Sequence, residues 1–202
     1  MQISRNCLIR RKFMAVQDLH MHTTWCDGKN TPEEMIISGI NKGLNKIGIT
    51  AHAYTWFDDT YCLKKEDYPA FKKEVRELAV KYKDKIEVLC GIEQDYYSDM
   101  STEGFDYIIG SNHYLKVGEE YYPIDSGEEG FVKLAGLYDG DYLSMCEAYY
   151  KNVGDPRFDC FLNYVLNSRL IHYREHFLWQ NLSCRQYSCS KPCSWYNGFC
   201  YI

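Results

Sequence analysis

The sequence alternates between short apolar segments and amphipathic segments over its first half. The apolar segments have the length of β-strands and cover residues 15–19, 46–50, 86–92 and 105–110. The amphipathic segments, at 31–44 and 69–82, repeat apolar residues three and four positions apart, which is the spacing of an α-helix. Strands that alternate with helices form βαβ units, and these units build parallel sheets. The order of the segments therefore predicts an α/β fold.

The first predicted helix carries a start and a stop signal. Thr31 can cap its N-terminus, Pro32 suits the first helical position, and Glu34 completes a capping box. Gly43 follows the last apolar residues of the helical pattern and is a natural stop. These signals predict that a helix separates the first two strands.

Every predicted strand ends in a side chain that can bind a metal ion. The residues at the four strand ends are His20 and His22, His52, Glu93 and His113. Because ligands gather beyond the carboxyl ends of the strands in parallel α/β folds, we expect these side chains to lie close together. Imidazoles combined with a carboxylate suit Zn, Mn or Fe. The sequence therefore predicts a site for divalent metal ions, with Glu93 able to bridge two of them.

Two residues in the loop after the first strand are further candidates. Asp27 precedes Gly28, and this pair is typical of a turn. Alternatively, the Asp27 carboxylate can bind a metal ion together with the nearby His20 and His22. Cys26 is either a soft ligand or a residue that lines the loop. The sequence leaves both alternatives open for each residue.

The composition limits the classes of partner. Lys and Arg number 23 and Asp and Glu number 28, so the net charge of −5 argues against a protein that binds nucleic acid through its phosphates. No apolar run approaches the roughly 18 residues that a membrane span needs. Residues 1–13 are basic but lack the apolar run of a secretory signal. We therefore expect a cytoplasmic protein that binds neither nucleic acid nor membrane.

The character of the sequence changes after Val153. Residues 154–202 hold three acidic and five basic residues, unlike the acidic first part, and four closely spaced cysteines at 184, 189, 193 and 200. Their spacing matches no paired C-x2-C metal motif, and the His172 and His176 pair lacks the glutamate of H-E-x-x-H. The tail is either a small disulfide or zinc module or the product of a shifted reading frame. We expect an extension at 1–13, a metal-dependent domain at 14–153 and an atypical Cys-rich tail at 154–202.

Taken together, the motifs resemble the polymerase and histidinol phosphatase (PHP) superfamily and, within it, the histidinol-phosphatase group. The resemblance covers roughly residues 14–153. It rests on the segments DLHMHT at 18–23, DG at 27–28, TPEE at 31–34, GITAH at 48–52, GIE at 91–93 and IGSNH at 109–113. Their order and spacing together are specific, whereas the GIE and SNH steps alone would be weak.

The resemblance implies a distorted seven-stranded TIM-like (β/α) barrel with two or three metal ions at its C-terminal mouth. This chain is expected to form only part of that barrel, because the later G-H-x-D and D-x-H steps of the family are not found after residue 153. Carried over by residue, His20 and His22 bind the first ion, and Glu93 bridges it to a second. His113 binds the second ion, and His52 and Asp27 bind the third.

The resemblance also implies an activity, the hydrolysis of a phosphate monoester, with Glu93 and His52 as the catalytic residues. The substrate of the group is L-histidinol phosphate, which yields L-histidinol for histidine biosynthesis. Two alternatives remain: another phosphoesterase or nuclease that uses the same ligands, and a truncated chain that at most binds metal. The expected partner is a small phosphorylated substrate, and the sequence leaves the oligomeric state open.

Overall fold

The computed structural model of the protein describes residues 16–153, 194–196 and 199–201. The predicted extension at 1–13 and most of the tail lie outside the described residues, including Cys184, Cys189, Cys193, His172 and His176. Two three-residue strands of the tail, Ser194–Tyr196 and Phe199–Tyr201, pair with each other in antiparallel fashion. Among the helices that the structure describes, none is long and apolar enough to cross a membrane.

A parallel sheet of four strands forms the centre of the fold. The strands follow one another in the sheet in chain order, as β1 (Gln17–Met21), β2 (Lys46–His52), β3 (Glu87–Asp95) and β4 (Tyr107–Ser111). Each predicted apolar segment has thus become a strand, displaced by at most a few residues. The prediction of an α/β fold that forms part of a (β/α) barrel is confirmed.

Helices connect the first three strands, as the alternating pattern predicts. Helix α1 (Pro32–Asn41) begins at the capping box, in which the Glu34 backbone N–H donates to Thr31 Oγ1 and the Thr31 N–H donates to Glu34 Oε2. A 3-10 turn (Lys65–Asp67) leads into α2 (Tyr68–Tyr82), where Pro69 occupies a first-turn position that needs no N–H donor.

The main core lies between these helices and one face of the sheet. It is built from fully buried apolar side chains of both layers: Ile36, Ile47, Ile49, Phe71, Val75 and Ile92. β2 and most of β3 are buried on both faces, which is why their sequences read as nearly continuous apolar runs. Burial of these residues holds the strand ends in place.

A second, smaller core follows the sheet and was not predicted from the sequence. Strands β5 (Tyr114–Val117) and β6 (Glu120–Pro123) form a hairpin, followed by helices α3 (Gly127–Gly136) and α4 (Tyr142–Val153). The buried members of this core are Leu115, Ile124, Leu134, Ala135, Met145, Cys146 and Tyr149. The hairpin starts directly after His113, so this second core adjoins the end of β4 where the candidate site lies.

Candidate metal centre

The carboxyl ends of all four parallel strands contribute to one site. His20 lies near the end of β1 and His22 directly after it, where the pairing with β2 shifts register between Asp18 and Met21. His52 ends β2 and lies opposite Glu93 of β3 in the strand register. His113 follows β4 by two residues. The structure therefore brings together the histidines and the glutamate that the sequence places at separate strand ends.

The side chain of Glu93 lies at the centre of this group. Its Oε2 atom is 2.8 Å from His20 Nε2, 3.2 Å from His22 Nε2 and 3.2 Å from His52 Nδ1. Its other oxygen, Oε1, is 3.3 Å from His113 Nε2. Four imidazoles from three different strand ends thus converge on one carboxylate, which is itself only 3% exposed.

The loop after β1 carries Asp27 to the edge of the group. The backbone N–H groups of Cys26 and Gly28 both donate to the Thr23 carbonyl oxygen, at 2.9 and 3.0 Å, which folds the loop tightly. As a result Asp27 Oδ1 lies 3.7 Å from His52 Nε2, while the residue stays half exposed. Asp27 thus stands with His22 and His52 as a possible ligand, which favours that alternative over a turn residue alone.

The spacing of the ligand atoms fits divalent metal ions. With metal–ligand bonds of about 2.1 Å, neighbouring ligand atoms of a tetrahedral site lie about 3.4 Å apart. The nitrogen–oxygen distances from 2.8 to 3.7 Å bracket that value. Three overlapping groups, each within 4.8 Å, can hold an ion: His20, His22 and Glu93; His22, Asp27 and His52; and His52, Glu93 and His113.

His52 provides a second observation that fits a metal. Its Nδ1 atom is buried and has no hydrogen-bond partner among the described residues, because its approach to Glu93 does not have the geometry of a hydrogen bond. A buried polar atom without a partner costs stability unless something binds it. Burial also lowers the pKa of His52 to about 4, so this imidazole is neutral near pH 7 and its lone pair is available.

The charges of the other groups are coupled. Burial alone would raise the pKa of Glu93, but hydrogen bonds from His113, His20 and His22 outweigh it and hold the pKa well below its usual range. Burial alone would lower the pKa of His22, but its contacts with Cys26 and Glu93 raise it to about 10. In the metal-free protein Glu93 is therefore ionised, and the His22 ring is protonated on both nitrogens and positively charged.

Cys26 lies beside the site and outside the three groups. Its Sγ atom is 3.6 Å from His22 Nδ1, the ring nitrogen on the side away from Glu93. Burial alone would raise the pKa of this thiol, but the contact with His22 and backbone N–H groups lower it. Cys26 is thus a partner of His22, and in the described part of the chain it is not grouped with the possible metal ligands.

Two residues near the site were missed by the sequence analysis. Asp95 Oδ2 lies 3.0 Å from Nδ1 of His113, whereas the other ring nitrogen, Nε2, faces Glu93. The ring of Tyr61 packs edge-on against His52 and His113, at centroid distances of 4.9 and 5.9 Å. The signal for Asp95 was present, because residues two apart on a strand point to the same side and Asp95 follows Glu93 by two. Nothing local indicates the position of Tyr61.

Comparison with known proteins agrees with this geometry. A model of the PHP domain matches residues 18–166. The structure of a candidate histidinol phosphatase, HisK, from Listeria monocytogenes superposes with a TM-score of 0.59 at 20% sequence identity, covering 68% of this chain and 60% of that one. This identity shows a common fold alone.

A second solved structure is histidinol phosphate phosphatase (HISK) from Lactococcus lactis subsp. lactis, complexed with Zn, L-histidinol and phosphate. It gives a TM-score of 0.41 at 23% identity, covering 51% of this chain and 41% of that one. This chain thus spans 60% and 41% of the lengths of the two relatives. No curated protein matches the sequence. Since the domain model matches well over half of the residues, the chain belongs to the PHP domain family.

Proposed function

We propose that this chain is a metal-dependent phosphate monoester hydrolase whose substrate is L-histidinol phosphate. The observation that carries the proposal is the convergence of four imidazoles on the buried carboxylate of Glu93. In this assignment His20 and His22 hold one ion, Glu93 joins it to a second ion at His113, and His52 and Asp27 hold a third. Membership of the PHP family and the fit of the ligand spacing to zinc, manganese or iron support it.

The bound ions would supply the Lewis acidity that polarises a phosphoryl oxygen and makes a water molecule acidic near neutral pH. The contribution of the chain is charge and geometry. Its ligand set offers two carboxylates, Glu93 and Asp27, and otherwise neutral imidazoles, so two or three divalent ions leave the site net positive. A net positive site in an acidic protein attracts a small phosphate dianion, whereas a polynucleotide also meets the surrounding negative charge.

Sequence motifs and aromatic residues beside the site support histidinol phosphate as the substrate. The sequence motifs resemble the histidinol-phosphatase group, and the fold is similar to that of the Listeria protein. The loop after His52 also carries Trp56, Phe57 and Tyr61, of which Tyr61 contacts His52 and His113. Aromatic rings beside a phosphate site suit a substrate whose leaving alcohol carries an aromatic ring, as histidinol carries an imidazole.

A second candidate function is metal binding without hydrolysis. It is favoured by one observation: the chain spans 60% of the Listeria structure, and the described ligands come from four strands only. Later strands of a complete barrel would add ligands to those that the described residues offer. We keep it as the alternative because metal binding and turnover can be measured separately.

The test uses the full 202-residue chain loaded with Mn²⁺ or Zn²⁺. Phosphate release is measured from histidinol phosphate and p-nitrophenyl phosphate, and strand cleavage from a short oligonucleotide, before and after dialysis against EDTA and again after metal is restored. Glu93→Gln is the site variant. Glu87→Gln is its matched control, since Glu87 lies on the same strand but is exposed at the opposite end, paired with Lys46.

Each result has a defined meaning. Release from histidinol phosphate that is lost in EDTA, restored by metal and nearly abolished in Glu93→Gln but not in Glu87→Gln supports the proposal. Metal binding without phosphate release supports the second candidate. Preferential cleavage of the oligonucleotide assigns a nuclease, and undiminished turnover in excess EDTA contradicts a metal-dependent reaction altogether.

A further inference from the structure

We propose that Asp95 is the positioning residue of His113: it holds the His113 ring so that Nε2 points to Glu93 and is the ring atom that binds metal. The inference deepens the proposed function, on which it rests for the presence of a metal at this position. It concerns a residue that contacts no other member of the three ligand groups and acts through His113 alone.

One oxygen of Asp95 makes two contacts with His113. Oδ2 accepts a hydrogen bond from the His113 backbone N–H at 2.9 Å and lies 3.0 Å from the Nδ1 atom of the same residue. A single oxygen thus contacts both the backbone and the ring of His113. This fixes the torsion of the side chain as well as the position of the ring.

Asp95 is itself held by backbone hydrogen bonds and by burial. Its other oxygen, Oδ1, accepts the Tyr97 backbone N–H at 2.8 Å. Asp95 is the last residue of β3, lies opposite Ser111 of β4 in the register, and is only 2% exposed. A buried carboxylate that accepts from two backbone N–H groups has a fixed orientation, so it can impose one on its neighbour.

The contact with Asp95 also determines which ring nitrogen of His113 carries a hydrogen. A carboxylate only accepts hydrogen bonds, so the 3.0 Å contact requires that His113 Nδ1 carries a hydrogen. In a neutral imidazole this leaves the lone pair on Nε2, the atom that lies 3.3 Å from Glu93 Oε1. Ser111 Oγ is also near Nδ1, at 3.3 Å, but a hydroxyl can either donate or accept and does not by itself select a tautomer.

A purely structural role must be distinguished from positioning, because Asp95 also supports the turn after β3. Asp106 offers a matched comparison. Its Oδ2 accepts the Cys90 backbone N–H at 2.7 Å and pairs with Arg76, but at the opposite end of the same two strands. Replacing either aspartate by asparagine removes a charge and weakens a backbone contact. Only the change at Asp95 also alters the support of a candidate ligand.

The experiment measures Mn²⁺ binding to the full chain by the electron paramagnetic resonance signal of the free ion. Manganese is used because the thiols of the cysteine-rich tail select zinc and bind manganese poorly. Loss of a residue that orients a metal-binding histidine weakens binding by about 10- to 100-fold. We expect this loss in Asp95→Asn for the binding step that His113→Gln weakens, and no loss beyond about twofold in Asp106→Asn.

The double variant of Asp95 and His113 distinguishes positioning of the histidine from a purely structural role of Asp95. If Asp95 acts through His113, adding Asp95→Asn to His113→Gln causes no further loss of Mn²⁺ affinity. Equal losses in the single and double backgrounds, or unchanged affinity in a folded Asp95→Asn variant, would overturn the proposal.

A measurement on the unaltered protein keeps the proposal testable if Asp95→Asn does not fold. The ring nitrogens of ¹⁵N-labelled histidine in the zinc-loaded chain report which atom carries hydrogen, with His113→Gln identifying the signal. We expect a hydrogen on Nδ1, and a hydrogen on Nε2 would overturn the inference. Absence of phosphatase activity in a chain that shows this pattern would refute the proposed function and leave the role of Asp95 standing.

Discussion

The hydroxyl of Tyr107 donates a hydrogen bond to the carbonyl oxygen of Leu19, 2.6 Å away, although the two residues lie on opposite edge strands of the four-stranded sheet. The ring reaches across β3 and β2 because both strands have a glycine beneath it. A Cβ atom at Gly91 or Gly48 would overlap the Tyr107 side chain. Since Leu19 precedes His20, this bond holds the end of β1, and with it two of the candidate ligands, against the rest of the sheet.

Gly91→Ala is therefore expected to destabilise the protein. The added methyl group meets the Tyr107 ring where neither can move freely, and overpacking of this kind costs about 1–3 kcal/mol. Urea denaturation of the metal-free chain measures the effect. Gly136→Ala is the control, because a Cβ atom there meets nothing within 4 Å. Equal stabilities of the two variants would contradict the close approach of Tyr107.

Glu93→Gln is expected to destabilise the chain even without metal. The substitution removes the buried negative charge between His22 and His113, whose pKa values their contacts raise to about 10. Removing one partner of a buried ion pair costs about 3–5 kcal/mol. The free energy of unfolding in EDTA near neutral pH provides the measurement. The exposed Glu87→Gln should change it by less than about 0.5 kcal/mol, and a similarly small effect of Glu93→Gln would argue against a buried ion pair.

Gly28→Ala is expected to weaken metal binding more than it weakens the fold. A Cβ atom at this position would overlap the backbone of His22 and Thr23, so the loop must open and carry Asp27 away from His52. We expect a loss of Mn²⁺ affinity of at least about tenfold, which is the loss typical when the residues that orient a metal ligand are displaced. The free-ion signal measures it, with Gly136→Ala again as the control. Affinity equal to that of the unaltered chain would show that neither Asp27 nor the loop contributes.

Metal affinity is expected to rise with pH. In the metal-free protein the contacts with Asp95 and Glu93 outweigh burial and raise the pKa of His113 to about 10, and the pKa of His22 is also about 10. Both rings are protonated below that pH, so binding an ion must displace their protons. Each displaced proton increases the affinity by about tenfold per pH unit.

Titrations with Mn²⁺ between about pH 6 and about pH 8 test this slope. His52 adds no slope in this range because burial lowers its pKa to about 4. An affinity that stays constant or falls as the pH rises would contradict protonated ligands in the metal-free chain.

Local chemistry was enough to predict the elements that meet at the site. The capping box of Thr31 and Glu34 depends on residues three apart, and it forms as the sequence predicts. The convergence of His52 and Glu93 follows from a general property of parallel strands, whose carboxyl ends share one edge. The assignment of individual residues to individual ions, the boundary after Val153 and the character of the tail stay predictions.

Contacts between distant parts of the chain decided the rest. The hydrogen bond from Tyr107 to Leu19 joins residues 88 positions apart, and that from the His113 N–H to Asp95 joins residues 18 apart. The hairpin after His113 and the core beneath α3 and α4 were likewise not apparent from the sequence. Local propensity and periodicity reach only a few residues along the chain, whereas these contacts depend on how the strands curve and stack. The sequence could therefore name the candidate ligands, while the folded sheet alone set their orientation and the groups that hold them.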